Sequence, residues 1–230
     1  MTATTSAERL NTIGSRLGGT QRYLEIGVAR GTTFFQVNAV EKHGVDPRFR
    51  FDPCTRSSHS HEHYHPISSD DYFKQAIGKE APFDLIFLDG LHTYSQTLRD
   101  FLASQALAHP RTVWLIDDTV PTDAIAADPD LQRVQAAREA KGDQTDQTWM
   151  GDVFKLVAFI HSFCPQFSCY TVDGHGQTVV LPKPQEEGER LFTDVSEIDR
   201  LSYVDTILMQ KNLLKATPLE EILTKIDSLN

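Results

Sequence analysis

The chain has 230 residues, 40% of them hydrophobic, and its 22 basic and 32 acidic residues leave a net charge of −10. That length suits one well-buried α/β domain, and that hydrophobic share excludes intrinsic disorder. An acidic chain without a Lys/Arg block grips a phosphate backbone poorly, so nucleic acid is not the expected partner.

In chain order, MTATTSAERL lacks the basic and apolar regions of a signal peptide, and no later apolar run approaches the ~20 residues that cross a bilayer. A cytoplasmic protein is therefore expected. YLEIGV, from Tyr23, supplies a first strand, and TTFFQVNAVEKH suits a helix after it, with Thr32 or Thr33 near its start. HGVDP (His43 to Pro47) ends a short second strand, and HYHPISS (His63 to Ser69) forms a third. SSDDYFKQAIGK then opens a helix with Ser69 or Asp70 as its N-cap. FDLIFLDG (Phe83 to Gly90) is a continuous apolar run, as a buried central strand requires. Tyr94 to Ala108 has helical spacing, and TVWLIDDT (Thr112 to Thr119) is another buried strand. Beyond a polar segment rich in Asp and Gln, GDVFKLVAFIHSF reads as an amphipathic helix. FSCYTVDGHGQTVVLPK (Phe167 to Lys183) places two β-rich runs around Gly-His-Gly and so forms a hairpin.

Strands alternating with helices predict a doubly wound, Rossmann-like α/β fold: a mixed sheet of about seven strands closed by an antiparallel C-terminal hairpin strand. The expected organisation is a domain over residues 1–184 and a helical tail over 185–230, which packs on the core or on a partner subunit in a homodimer.

Ligands of such sheets bind beyond the carboxyl ends of the strands, where the first loop enters the next element. Gly27 and Gly31 stand in that loop. A dinucleotide fingerprint would place glycine where Ala29 stands, because its second glycine admits a pyrophosphate. Asp46 follows Gly27 by about 20 residues, the distance at which an acid reaches ribose hydroxyls. Together with Glu25, these residues point to a nucleoside-bearing cofactor without a pyrophosphate.

Asp89 ends the FDLIFLDG strand, and Asp117 and Asp118 end LIDDT. Adjacent parallel strands bring these carboxylates to one sheet edge, where they repel unless a cation or protons compensate. Oxygen ligands suit a hard divalent ion such as magnesium, and strand-end acids also cap helices and satisfy loop amides. His92, next along the loop, can take a hydroxyl proton near neutral pH or can orient Asp89.

The ordered set YLEIGVARG, HGVDP, SSDDYF, FDLIFLDGLHTY, LIDDT and GDVFK, over roughly Tyr23 to Lys183, resembles the class I S-adenosylmethionine-dependent methyltransferases. It is most similar to the branch with LDGxHxY motifs, the macrocin-type and catechol-type O-methyltransferases. The resemblance implies cofactor contact by Glu25, Gly27, Gly31, Asp46 and Asp89, with Ser69 and Asp70 near the adenine. It also implies magnesium held by Asp89, Asp117 and Asp118, and methyl transfer to a small-molecule or sugar hydroxyl with His92 and Asp89 as catalytic residues. Two rival readings stay open: an NAD(P)-dependent oxidoreductase, and a non-catalytic nucleoside-binding member of the fold.

Three further features have plainer readings. His59, His61, His63 and His65 alternate and would share one strand face, as metal-binding tracts do, or lie in a solvated loop. Trp149 and Asp152 could stand over the substrate opening, although an acid at a helix N-terminus accounts for Asp152. Cys54, Cys164 and Cys169 are too scattered for a disulfide framework or a zinc site.

Overall fold

A computed structural model describes residues 5–56, 60–142, 145–174, 176–185, 190–209, 214 and 216–229. Its centre is a sheet in the order β3-β2-β1-β4-β5-β7-β6-β8. The strands are β1 (Arg22–Ile26), β2 (Glu41–Val45), β3 (Glu62–His65), β4 (Phe83–Leu88), β5 (Ala108–Ile116), β6 (Ser168–Val172), β7 (Thr178–Leu181) and β8 (Ala216–Thr217). The first five run parallel, while β7 pairs antiparallel with both β5 and β6. The expected seven-stranded mixed sheet is thus present, extended by the two-residue β8 parallel to β6.

Alternation along the strands makes two cores, because successive side chains point to opposite faces. Leu24, Ile26, Ile86, Leu88, Trp114 and Ile116 face one core with α2 (Ser69–Ala76), α3 (Tyr94–Ser104) and α5 (Phe154–Phe163). Tyr23, Leu85, Phe87, Val113 and Leu115 face the other. There α1 (Ser6–Arg16) contributes Leu10 and Ile13, and α8 (Leu219–Asp227) contributes Ile222, Leu223 and Ile226. Both ends of the chain therefore supply helices to one face of the sheet. A further helix, α4 (Leu131–Ala140), lies in the segment that composition marked only as polar; α6 (Val195–Asp199) and α7 (Tyr203–Met209) precede β8.

Three local expectations are corrected. The helix expected over TTFFQVNAVEKH is a single 3-10 turn, Phe34–Gln36, with no side-chain cap from Thr33. The α1 residue Asn11 donates to the Gln36 carbonyl and accepts from Asn38 N–H, which holds the chain extended there. Glu41, Lys42 and His43 are then drawn into β2, where buried Lys42 pairs with Glu62 at 2.9 Å. Second, the N-cap of α2 is Ser68, whose extended backbone and Oγ, accepting from Asp71 N–H, do that work in place of Ser69 or Asp70. Third, the strand ending in LIDDT begins earlier, at Ala108, after α3 has closed in a 3-10 turn over Gln105–Leu107. The hairpin is as expected, although His175 at its turn and His59 of the histidine tract lie outside the described residues.

Candidate active site

Four loops leave the carboxyl edge of the sheet together because hydrogen bonding continues past the strand ends. Gly27 N–H donates to Val45 O, Asp89 N–H to Ile26 O and Asp117 N–H to Leu88 O, at 2.9, 2.9 and 3.0 Å. The glycine loop, the Asp46 turn, the Asp89 loop and the Asp117–Asp118 turn therefore share one edge.

Gly27 has φ +92°, and a Cβ there would stand 1.8 Å from the Asp89 carbonyl oxygen. Its bareness first lets the Asp89–Gly90 backbone cross the first loop, a demand made by the protein itself as well as by any ligand. Gly31, at φ +76°, is bare because a Cβ would strike the Phe35 ring. Between them Ala29 is left-handed at φ 46°. Asp46 pins this loop: its Oδ2 accepts from Ala29 N–H at 2.8 Å and its Oδ1 from Arg48 N–H at 2.7 Å. Each carboxylate oxygen keeps a second acceptor position.

A crevice of about 350 Å³ opens beside this loop, lined by Ile26, Gly27, Val45, Asp46, Pro47, Ser68, Ser69, Gly90, Leu91 and Gln96. Of the expected cofactor contacts, Gly27, Asp46 and Ser69 line it. Glu25, Gly31, Asp70 and Asp89 are not among its walls. Glu25 is buried behind the strand, accepting from Tyr23 Oη at 2.6 Å, and burial pushes its carboxyl up to about 8 against the pull of Tyr23 and Lys42. Asp70 turns to Arg99 and Gln96 at 3.4 Å each. Ser68, Leu91 and Gln96 were missed in the sequence. Gln96 donates to Ser69 Oγ and Asp100 Oδ1, but only the packing of α3 against α2 shows that a helical glutamine meets this crevice.

At the other end of the Asp89 loop, the imidazole of His92 stacks on Trp149, with ring centroids 4.8 Å apart. His92 Nδ1 lies 2.7 Å from the Trp149 carbonyl and 2.9 Å from Asp118 Oδ2. Both partners accept, so Nδ1 carries the proton and Nε2 keeps a lone pair, 3.7 Å from Asp89 Oδ1. Burial opposes a charge on this ring, but the hydrogen bond and charge of Asp118, the Trp149 carbonyl and Asp117 together raise its pKa. Trp149 is fixed in turn by its Nε1, which donates to Asp128 O, and Gly151 sits so close that a Cβ would stand 1.6 Å from the His92 carbonyl oxygen. Asp152 accepts from Tyr94 N–H at the start of α3 and pairs with Lys155 at 3.0 Å, so it clamps two helix starts and does not overhang an opening.

Ligand atoms of Asp89, His92 and Asp118 lie within 4.8 Å of one another. Asp117, expected in this group, is not part of it: its Oδ1 accepts from the Asp118 N–H and it faces Gln177. Asp118, left-handed at φ 60°, gives its carboxylate to His92, while that of Asp117 accepts from the Asp118 N–H. Burial and mutual repulsion push Asp117 up to about 6 and Asp89 well above the usual carboxylate range. A site whose acids cannot comfortably share negative charge, with oxygen and imidazole donors converging, suits a divalent cation.

Residues 24–119 match the model of a family described as a methyltransferase domain. No curated protein matches the chain. Among solved structures, the O-methyltransferase TomG from Streptomyces achromogenes, involved in tomaymycin synthesis and crystallised with SAM, is similar at 17% identity. Its TM-score is 0.51, over 79% of this chain and 82% of that one. An O-methyltransferase from Bacillus cereus in complex with SAH is similar at 18% identity and TM-score 0.52, over 77% of this chain and 81% of that one. At such identities the likeness is one of fold, and it bears out the Rossmann-like α/β architecture. No helix among the described residues is long and apolar enough to cross a membrane.

Proposed function

We propose that this chain, whose residues 24–119 match the model of a methyltransferase domain, moves a methyl group from S-adenosylmethionine to a hydroxyl of a small molecule. The observation that carries this reading is the meeting, at one sheet edge, of a nucleoside-sized crevice with an imidazole whose Nε2 lone pair is free to take a proton. The solved neighbours bound to SAM and SAH support the choice of cofactor.

In this proposal Asp46 receives the ribose hydroxyls, and Ser69 and Gln96 border the base. Gly27 lets the cofactor approach the backbone of the first loop. Bound there, S-adenosylmethionine supplies an electrophilic sulfonium methyl. His92 Nε2 accepts the acceptor's hydroxyl proton while Asp118 and Trp149 hold the ring through Nδ1, the geometry of a positioned general base. Asp89, His92 and Asp118 are the residues that would hold a magnesium ion, which would lower the hydroxyl pKa. Base and ligand are alternative roles for His92, because each would use the same Nε2 lone pair. Asp117 then tunes the site from behind. The unit over 1–184 carries this chemistry, the described part of the tail, with α8 in the core, packs on it, and the protein works in the cytoplasm without nucleic acid as a partner.

Calorimetric titration with S-adenosylhomocysteine tests the reading. Saturable binding is expected; no binding at high micromolar concentration, or preferential stabilisation by NADH, would overturn it. Turnover that survives exhaustive chelation would remove the metal from the scheme.

A further inference from the structure

Away from the catalytic edge, β2 and β3 present a second group of metal-ligating side chains. Glu41 and His43 stand two residues apart on β2 and share a face, and His63 on β3 is in direct register with His43. Glu41 Oε1 lies 2.7 Å from His43 Nε2 and 3.8 Å from His63 Nε2. All three ligand atoms fall within 4.8 Å of one another. Donors bound tetrahedrally at about 2.0–2.1 Å from zinc sit roughly 3.3 Å apart, and the two measured separations straddle that value. Small side-chain rotations would close the set without moving the backbone.

From this geometry we infer a binding site for a divalent transition ion of the zinc, nickel or cobalt type, held by Glu41, His43 and His63 and completed by water. Two imidazoles to one carboxylate, the reverse of the donor balance at the catalytic edge, favour such ions over magnesium, for which oxygen ligands must predominate. His65 serves as the orienting partner behind the ligands. Its Nε2 is 3.3 Å from His43 Nδ1, so an Nδ1–H on His43 is satisfied there while Nε2 turns its lone pair to the ion. β3 is the edge strand of the sheet and the side chain of His63 is 44% exposed, which gives the ion a path from solvent.

Arg22 is the competitor for this place. Its Nη2 stands 2.9 Å from Glu41, 3.2 Å from His43 Nε2 and 2.7 Å from Glu80. One guanidinium faces two carboxylates, so the cluster keeps one negative charge for an incoming cation. Arg22 also bonds the Ala81 carbonyl, and it stays on that group and on Glu80 when Glu41 turns to the ion. The competition makes the site weaker than a closed structural zinc centre, and it makes Glu41 the ligand whose motion reports binding.

This site is separable from the catalytic one by mutation. Calorimetric titration of the full chain carrying Asp89→Asn and Asp118→Asn with zinc chloride is expected to show one bound equivalent. Adding His63→Ala, at a surface position, should weaken that binding at least tenfold and abolish the visible absorption of bound cobalt(II). A companion titration of the otherwise native chain guards against misfolding of the double variant: His63→Ala should remove one class of zinc site and leave the rest. Absence of zinc binding in the double variant with native circular dichroism, or stoichiometry and affinity indifferent to His63→Ala, overturns the proposal.

Discussion

His92 and Asp118 lie on different loops, yet their Nδ1 and Oδ2 atoms are 2.9 Å apart, and this pairing decides which nitrogen of the ring can act as a base. Asp118 accepts the Nδ1–H hydrogen bond and so leaves the Nε2 lone pair for chemistry. Replacing His92 with alanine should lower kcat by about 10²–10⁴-fold, the ordinary worth of a positioned base, with S-adenosylhomocysteine affinity little changed. Because the His92 pKa is raised, activity through the neutral ring should fall as pH drops through that raised value. Asp118→Asn removes the charge that raises it, so the acid limb of kcat/KM should move to lower pH while kcat falls. A limb that stays in place would sink the assignment of Asp118.

Gly27→Ala should be among the most damaging single changes in the first loop. The added methyl would stand 1.8 Å from a backbone oxygen of Asp89, at a φ of +92° that alanine rarely adopts. A loss of about 2–4 kcal/mol is expected, lowering Tm by roughly 5–15 °C. Gly18, also at positive φ but with open space around it, is the control: Gly18→Ala should lose only about 1–2 kcal/mol from backbone strain. Equal Tm losses in the two variants would show that the Asp89 contact is not what constrains Gly27.

Asp46→Ala should weaken S-adenosylhomocysteine binding by roughly 10- to 100-fold, since charge-assisted hydrogen bonds are worth about 1.5–3 kcal/mol each. Part of that loss belongs to the loop, because Ala29 N–H and Arg48 N–H also depend on this carboxylate. Asp46→Asn keeps one acceptor for the loop and should fall between the two. An affinity unchanged in both variants removes Asp46 from the ribose site.

Glu25 links stability to pH. Its carboxyl is pushed from 4.5 up to about 8 by burial, and Asp46 adds to the shift. Between those values the unfolded chain is ionised while the folded one retains the proton, so stability falls as pH rises through this window. The loss is on the order of a few kcal/mol. Glu25→Gln preserves an acceptor for Tyr23 Oη and removes the titration, so urea unfolding at pH 5 and pH 8 should differ less in the variant than in the native chain. An identical pH dependence would show that Glu25 stays ionised in the fold.

Much of the architecture could be read directly from residues. Continuous apolar runs such as FDLIFL announce strands buried on both faces, and the acids and glycines that follow them mark the edge where ligands bind. What the linear pattern could not resolve were outcomes of competition between distant groups. TTFFQVNAV has helical composition, but Asn11, from a helix before β1, holds it extended and leaves one 3-10 turn. Nor can adjacent letters say which aspartate faces the histidine: Asp117 and Asp118 look equivalent until the fold gives Asp118 to His92 and leaves Asp117 on the Asp118 N–H. The sequence by itself determined the strands, their burial and the chemical types gathered at one edge, because hydrophobic periodicity and strand polarity are local. Only the tertiary structure decided which side chains touch, because orientation beyond a strand end depends on hydrogen bonds made by other parts of the chain.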